Sequence, residues 1–138
     1  MKEIARRIVR TGETVATIAK VARWVQTYSA EIGTYNDPPR SLDELQSAVS
    51  TMAPGYDIHH IVEQTAAERA GFAREIIDHP DNLVRVPRLK HQEINAWYQT
   101  KNDEYGGVSP REYLEGRSWA VRRAVGLDAL KQFKVLEP

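Results

Sequence analysis

The stretch GYDIHHIVEQ (55–64) sets two histidines side by side, His59 and His60, inside a short apolar run. Pro54-Gly55 makes a turn ahead of it, so YDIHHIV (56–62) reads as a short strand. Neighbours on a strand point to opposite faces, which raises the question of how both rings serve one site. Working forward, His79-Pro-Asp-Asn82 is a turn, and LVRVP (83–87) alternates like a second strand ended by proline. Residues 88–99 return to helical spacing through Leu89, Ile94, Trp97 and Tyr98. The order is strand, strand, helix. Packing such a ribbon on the helix that follows it brings His59-His60, Asn82 and His91 to one end of a compact unit.

Outward from this centre the pattern is helical. Residues 3–30 predict a helix through Ile4, Ile8, Val15, Ile18, Val21, Trp24 and Val25, with a break at Thr11-Gly12. TYNDPPR (34–40) is a loop, and Ser41-Leu-Asp-Glu44 is a capping box that opens a short helix to about Val49. TAAERAGFAREI (65–76) predicts one helix with a glycine inside it. After a Gly106-Gly107 loop, Ser109-Pro-Arg-Glu112 is a second capping box with proline at the first helical position. One or two terminal helices then run to about Phe133. Trp97, Tyr98, Trp119 and Phe133 are expected in the core, and Trp24 on the apolar face of the first helix. His79 is expected as an exposed turn histidine.

A chain of 138 residues suits one domain with a modest core. No apolar run approaches the roughly 20 residues needed to cross a bilayer, and the N-terminal stretch does not read as a signal peptide. The absence of cysteine excludes disulfides and thiolate zinc sites. Net charge is zero but unevenly spread. Residues 1–25 hold six Lys/Arg against two acids, residues 26–81 three against ten, and residues 82–138 ten against seven. Any nucleic-acid contact must therefore use a local basic face. Arg85, Arg88 and Lys90 flank the histidines and are candidates for phosphate contacts as much as for a plain solvated face, while Arg117, Arg122 and Arg123 read as surface charges, with a weaker case for contacting a nucleic-acid backbone.

The segments IHHIVEQ and DNLVRVPRLKH, with the spacing from Asn82 to His91, resemble the HNH, or ββα-metal, nuclease family. The paired histidines, the PRLKHQEINAWY helix and the SPREYLEGRSWAVRRAVGLDAL tail are similar to the toxin-type HNH domains of bacterial polymorphic toxins. The resemblance implies an α+β, mostly helical fold with a ββα-metal core at about 55–100. C-terminal helices at 109–134 complete a nuclease domain spanning 51–138, behind an N-terminal helical arm at 1–50. That arm reads equally as a contact for a partner, a linker remnant or part of the core.

The activity implied is metal-dependent hydrolysis of phosphodiester bonds in DNA, with RNA as the other polyanion that fits. A cognate immunity protein is implied as partner, with action in a target cell after delivery. By the same resemblance His60 matches the general base, His59 and His91 the metal ligands, and Asn82 the residue that orients the base or braces the loop. Glu63 stands where relatives often have proline and suits a carboxylate behind the ligands. Asn95, one turn after His91, stands where some relatives have another histidine. So lean a ligand set favours Mg2+ or Mn2+, with Zn2+ or Ni2+ as candidates in vitro. The chemistry fits the residue types: histidine titrates near neutrality and serves as a base, and a cation offsets the charge that develops on phosphate oxygens. A phage, restriction or repair nuclease, or an inactive binding module on the same fold, is the alternative.

Overall fold

The Asn82-linked ribbon forms as the sequence predicts. In the computed structural model, which describes residues 14–138, β1 (Tyr56–His60) pairs antiparallel with β2 (Leu83–Pro87). The register sets His59 opposite Val84 and His60 opposite Leu83. β1 stops two residues short of the expected end. Past His60 the chain leaves the ladder, with the Ile61 amide donating to the Asn82 carbonyl at 2.8 Å. The expected start of the first helix at residue 3 and its break at Thr11-Gly12 lie outside the described residues.

The chain is α+β and mostly helical, with this two-stranded sheet at its centre. Before the sheet come α1 (Thr14–Tyr35) and α2 (Leu42–Ser47). Ser41 caps α2 as its capping box predicts, accepting from the Glu44 amide and donating to the Glu44 carboxylate. Only the last turns of α1 settle on the body. There the Thr34 hydroxyl donates to the Gly55 carbonyl at 2.8 Å, and a Cβ on Gly55 would meet the Ala30 carbonyl oxygen at 2.5 Å. Ile18, Val21, Trp24, Val25 and Tyr28 are exposed. The apolar face read for this helix is therefore not core, and Trp24 stacks on Tyr28 instead.

Between the strands, one expected helix is two: α3 (Gln64–Arg69) and α4 (Arg74–Ile77). Gly71 takes a left-handed conformation (φ +85°) that ends α3. Its amide donates to the Glu68 carbonyl and that of Phe72 to the Ala67 carbonyl, the two bonds of a Schellman cap. Phe72 then folds back with Trp119 onto a small cluster of Val62, Ala67 and Ile77. After β2 come α5 (Arg88–Gln99), α6 (Pro110–Tyr113) and α7 (Trp119–Gln132), the last two capped by Ser109 and Ser118.

The main core gathers Val84 and Val86 from the inner face of β2, Ile94 and Tyr98 from α5, and Ala129 and Leu130 from α7. Ile61 sits at its centre. A Cβ on Gly126 would lie 2.1 Å from the Ile61 carbonyl oxygen, so α7 presses directly on the chain just after His60. Trp97, Trp119 and Phe133 are partly buried against these clusters. Arg122, read as a surface charge, is instead buried, because its side of α7 is the one that faces Phe72. Among the described residues no helix is long and apolar enough to cross a membrane.

Candidate functional site: a cleft with three histidines

Asp57, His59, Val84 and Val86 share the inner face of the ribbon, since alternation along β1 and its register with β2 place them together. α5 lies over this face, so its first turns meet Asp57 and His59. His91 Nδ1 is 2.9 Å from Asp57 Oδ2. The Arg88 Nε donates to Asp57 Oδ1 at 2.9 Å, and its Nη1 donates to Glu31 on α1 at 3.0 Å. Burial alone would raise the Asp57 carboxyl, but the hydrogen bonds from His91 and Arg88 and their charges outweigh it and hold it below the usual value. An ionised carboxylate only accepts, so the His91 nitrogen facing it carries a proton, and in the neutral ring Nε2 is the nitrogen with the lone pair.

His59 is 3% exposed, and its ring meets that of His91 edge to face with centroids 5.1 Å apart. Its Nε2 is sealed from solvent and finds no hydrogen-bond partner. Burial, then the neighbouring His91 and His60, press its pKa down to about 3, so the ring is neutral at physiological pH. A neutral imidazole with an orphaned buried nitrogen sits beside a second imidazole whose outer nitrogen a carboxylate fixes. That donor chemistry suits a divalent metal. Among the described residues no cluster of three or more His, Asp or Glu side chains is arranged around one point.

The strand end answers the alternation question. His60 lies on the other face by register, yet it lines the same cleft of about 380 Å³ as His59, His91, Glu63 and Asn95, because β1 ends there. Its Nε2 is 2.9 Å from Asp78 Oδ1. Asp78 is held below the usual carboxylate value by its hydrogen bond from Arg74 first and from His60 second. By the same acceptor argument, Nδ1 is the nitrogen with the lone pair in the neutral His60 ring.

Asn82 is 1% exposed, and its amide is spent on backbone. Oδ1 accepts from the Val62 amide at 2.8 Å, and Nδ2 donates to the Ile77 carbonyl at 2.9 Å and the Val62 carbonyl at 3.3 Å. It pins the chain leaving His60 to the end of α4. Glu63 lines the cleft in a bidentate ion pair with Arg111 from α6, in which Arg111 Nε donates to Glu63 Oε1 at 3.1 Å.

The structure keeps Arg85, Arg88 and Lys90 away from the cleft. Arg85 lies on the opposite face of the ribbon over the Tyr56 ring and donates to the Thr51 carbonyl. Arg88 is committed to Asp57 and Glu31. Lys90 Nζ sits 4.2 Å from the centre of the Tyr35 ring. Among the described residues, the Lys or Arg side chain lining the cleft is Arg111. His79 is exposed and its Nδ1 accepts from the Asp81 amide. Sequence reasoning passed over Asp57, Asp78 and Arg111. Only Asp57 carries a local signal, a carboxylate two positions before His59 on the same strand face.

No protein-family model matches the chain, and neither a curated protein nor a solved structure does.

Proposed function

We propose that the chain is a metal-dependent endonuclease of the HNH type that hydrolyses phosphodiester bonds in DNA, with a ββα-metal core formed by β1, β2 and α5. The observation that carries this reading is the unpartnered, buried Nε2 of His59 beside His91, whose other nitrogen Asp57 occupies. Among plain packing arrangements, a sealed imidazole nitrogen without a partner is a net cost. Beside a second imidazole fixed by a carboxylate, it supports the reading of a ligand set.

His59 and His91 would hold the divalent cation, Mg2+ or Mn2+ for so lean a protein share, which neutralises charge on the phosphate oxygens. His60 takes the proton of the attacking water at Nδ1. Asp78 fixes the ring in that tautomer through Nε2 and stabilises the imidazolium that results. Asn82 keeps His60 in place through the backbone it pins. Arg111, oriented by Glu63, contributes positive charge to the cleft wall. The toxin or effector role and a cognate immunity protein complete the proposal on the resemblance of IHHIVEQ and PRLKHQEINAWY to toxin-type domains.

Supercoiled plasmid incubated with the chain and Mg2+ or Mn2+ should be nicked and then linearised. His60→Ala should slow this by about 100-fold or more while cation binding, read by calorimetry, persists; His91→Ala should lose both. Plasmid left intact under every divalent cation overturns the reading.

A further inference from the structure

Beside the histidine cleft lies a second one of about 410 Å³, between α3 and the α6–α7 turn. Thr65 and Arg111 line both. Arg69, Arg122 and Glu115 line only the second of the two. We propose that this adjoining cleft is an anion subsite, in which Arg69 and Arg122 hold a backbone phosphate of the nucleic-acid strand next to the one being cleaved.

Arg122 is the stronger observation. It is 4% exposed, yet among the described residues it has no carboxylate partner. Its Nε donates to the Arg117 carbonyl at 3.0 Å, and its guanidinium carbon stands 5.6 Å from the centre of the Phe72 ring. A buried guanidinium without a counter-ion is costly, and an apolar side chain of similar volume fills such a place more cheaply. The cost is offset if an anion enters from the cleft that Arg122 lines.

Arg69 is the second observation. It ends α3 at the opposite wall, is exposed, and likewise pairs with no carboxylate among the described residues. With the Arg111 charge answered by Glu63 from the histidine side, Arg69 and Arg122 against Glu115 still leave the lining positive. The planar forks of two unpaired guanidiniums suit the oxygens of a phosphate. A strand with one phosphate at the histidines carries its next charges past the adjoining wall, because charges on one strand follow at about 3.4 Å of axial rise. This placement rests on the nuclease reading; the positive cleft itself does not.

Binding and cleavage separate the two claims. A short DNA duplex is titrated with the chain in EDTA, where no cleavage proceeds, across a salt series followed by fluorescence anisotropy. Arg69→Gln, on an exposed position, should weaken binding several-fold at low salt. It should also make the slope of log K against log salt shallower by about 0.9, one phosphate contact. Arg122→Lys, which keeps charge but loses the fork, should weaken binding as well. In the plasmid assay with Mg2+, Arg69→Gln should raise KM and leave kcat unchanged. If the chain cuts plasmid while both variants bind with wild-type affinity and slope, the subsite is overturned and the nuclease stands. If plasmid stays intact but both variants lose affinity, the anion site stands and the nuclease reading falls.

Discussion

Two relays of charge converge on the cleft, alike in composition and opposite in setting. Glu31–Arg88–Asp57 ends on His91, and Glu68–Arg74–Asp78 ends on His60. The first joins α1, α5 and β1 across 57, 31 and 34 positions of sequence. The second spans 6, 4 and 18 positions and stays on the connection between the strands and the end of β1. Asp57 is 27% exposed and Asp78 47%. The His91 relay is thus a tertiary staple that also sets a tautomer. The His60 relay sets a tautomer with little hold on the fold, because exposed ion pairs are screened and entropically costly. The lesson is that residues 31 and 88, far apart and outside the cleft, belong to the His91 side of the site, and the end of the N-terminal arm belongs with them.

His59 lies between the relays and has neither carboxylate nor arginine behind it, so it gives the largest expected effect. Its folded pKa of about 3 lies below its ordinary 6.5. Between those values the unfolded chain binds the extra proton, so stability should rise with pH through that window and level off above it. The slope should be about 1.4 kcal/mol per pH unit. The Asp57 carboxylate, lowered by its partners, adds its loss only at lower pH, near and below 3.8. Urea unfolding from pH 4.5 to 7 should show the slope in the parent chain and its absence in His59→Gln. A slope retained in that variant would mean that His59 does not stay neutral in the fold.

How much of this was readable without coordinates follows the same division between near and far. The ribbon, the capping boxes at Ser41 and Ser109, and the helix of His91 are local patterns, and they stand where the sequence puts them. Gly71 was read as a glycine tolerated inside a helix. The Schellman cap it forms depends on Phe72 finding Val62, Ala67 and Ile77, a tertiary contact that periodicity does not carry. Arg88 reads toward phosphate because it flanks the histidines in sequence, whereas its carboxylate partners, Asp57 and Glu31, lie far away in sequence. Arg122 reads as surface because arginine is rarely fully buried unless paired; Gly126 lets α7 press against Ile61, and Arg122, four residues earlier in the helix, is buried. Arg111 reaches the cleft only because α6 returns from 48 positions downstream of Glu63.

The second-largest effect should come from Asp57→Asn. The substitution removes the acceptor from His91 and one carboxylate from Arg88, both in a half-buried setting. Two charge-assisted hydrogen bonds are lost or weakened, for about 1–2 kcal/mol of stability. Cation affinity should fall by roughly 10–100-fold, the usual consequence of removing the carboxylate behind a histidine ligand. Urea unfolding and calorimetry with Mn2+ read the two separately. Lost stability with unchanged Mn2+ affinity would reduce the His91 relay to a staple alone.

Asp78→Asn is the contrasting case and the smallest expected effect on the fold. Asp78 is exposed and its arginine, Arg74, is exposed too, so the unfolding midpoint should stay where it is. Its influence should appear in the chemistry: without an ionised acceptor at Nε2, the His60 ring is free to place its proton on either nitrogen, and the fraction with Nδ1 ready to accept falls. Plasmid cleavage should slow by about tenfold or more through kcat with KM unchanged, within the range that a general base and its orientation contribute. Asp57→Asn and Asp78→Asn should therefore trade places when the readout changes from unfolding to kcat at saturating Mg2+. If both variants lower the unfolding midpoint equally, the two relays do the same job and the contrast between them fails. If Asp78→Asn leaves turnover intact, His60 receives its orientation from the Asn82-pinned backbone alone, and Asp78 is an ordinary solvated partner of Arg74.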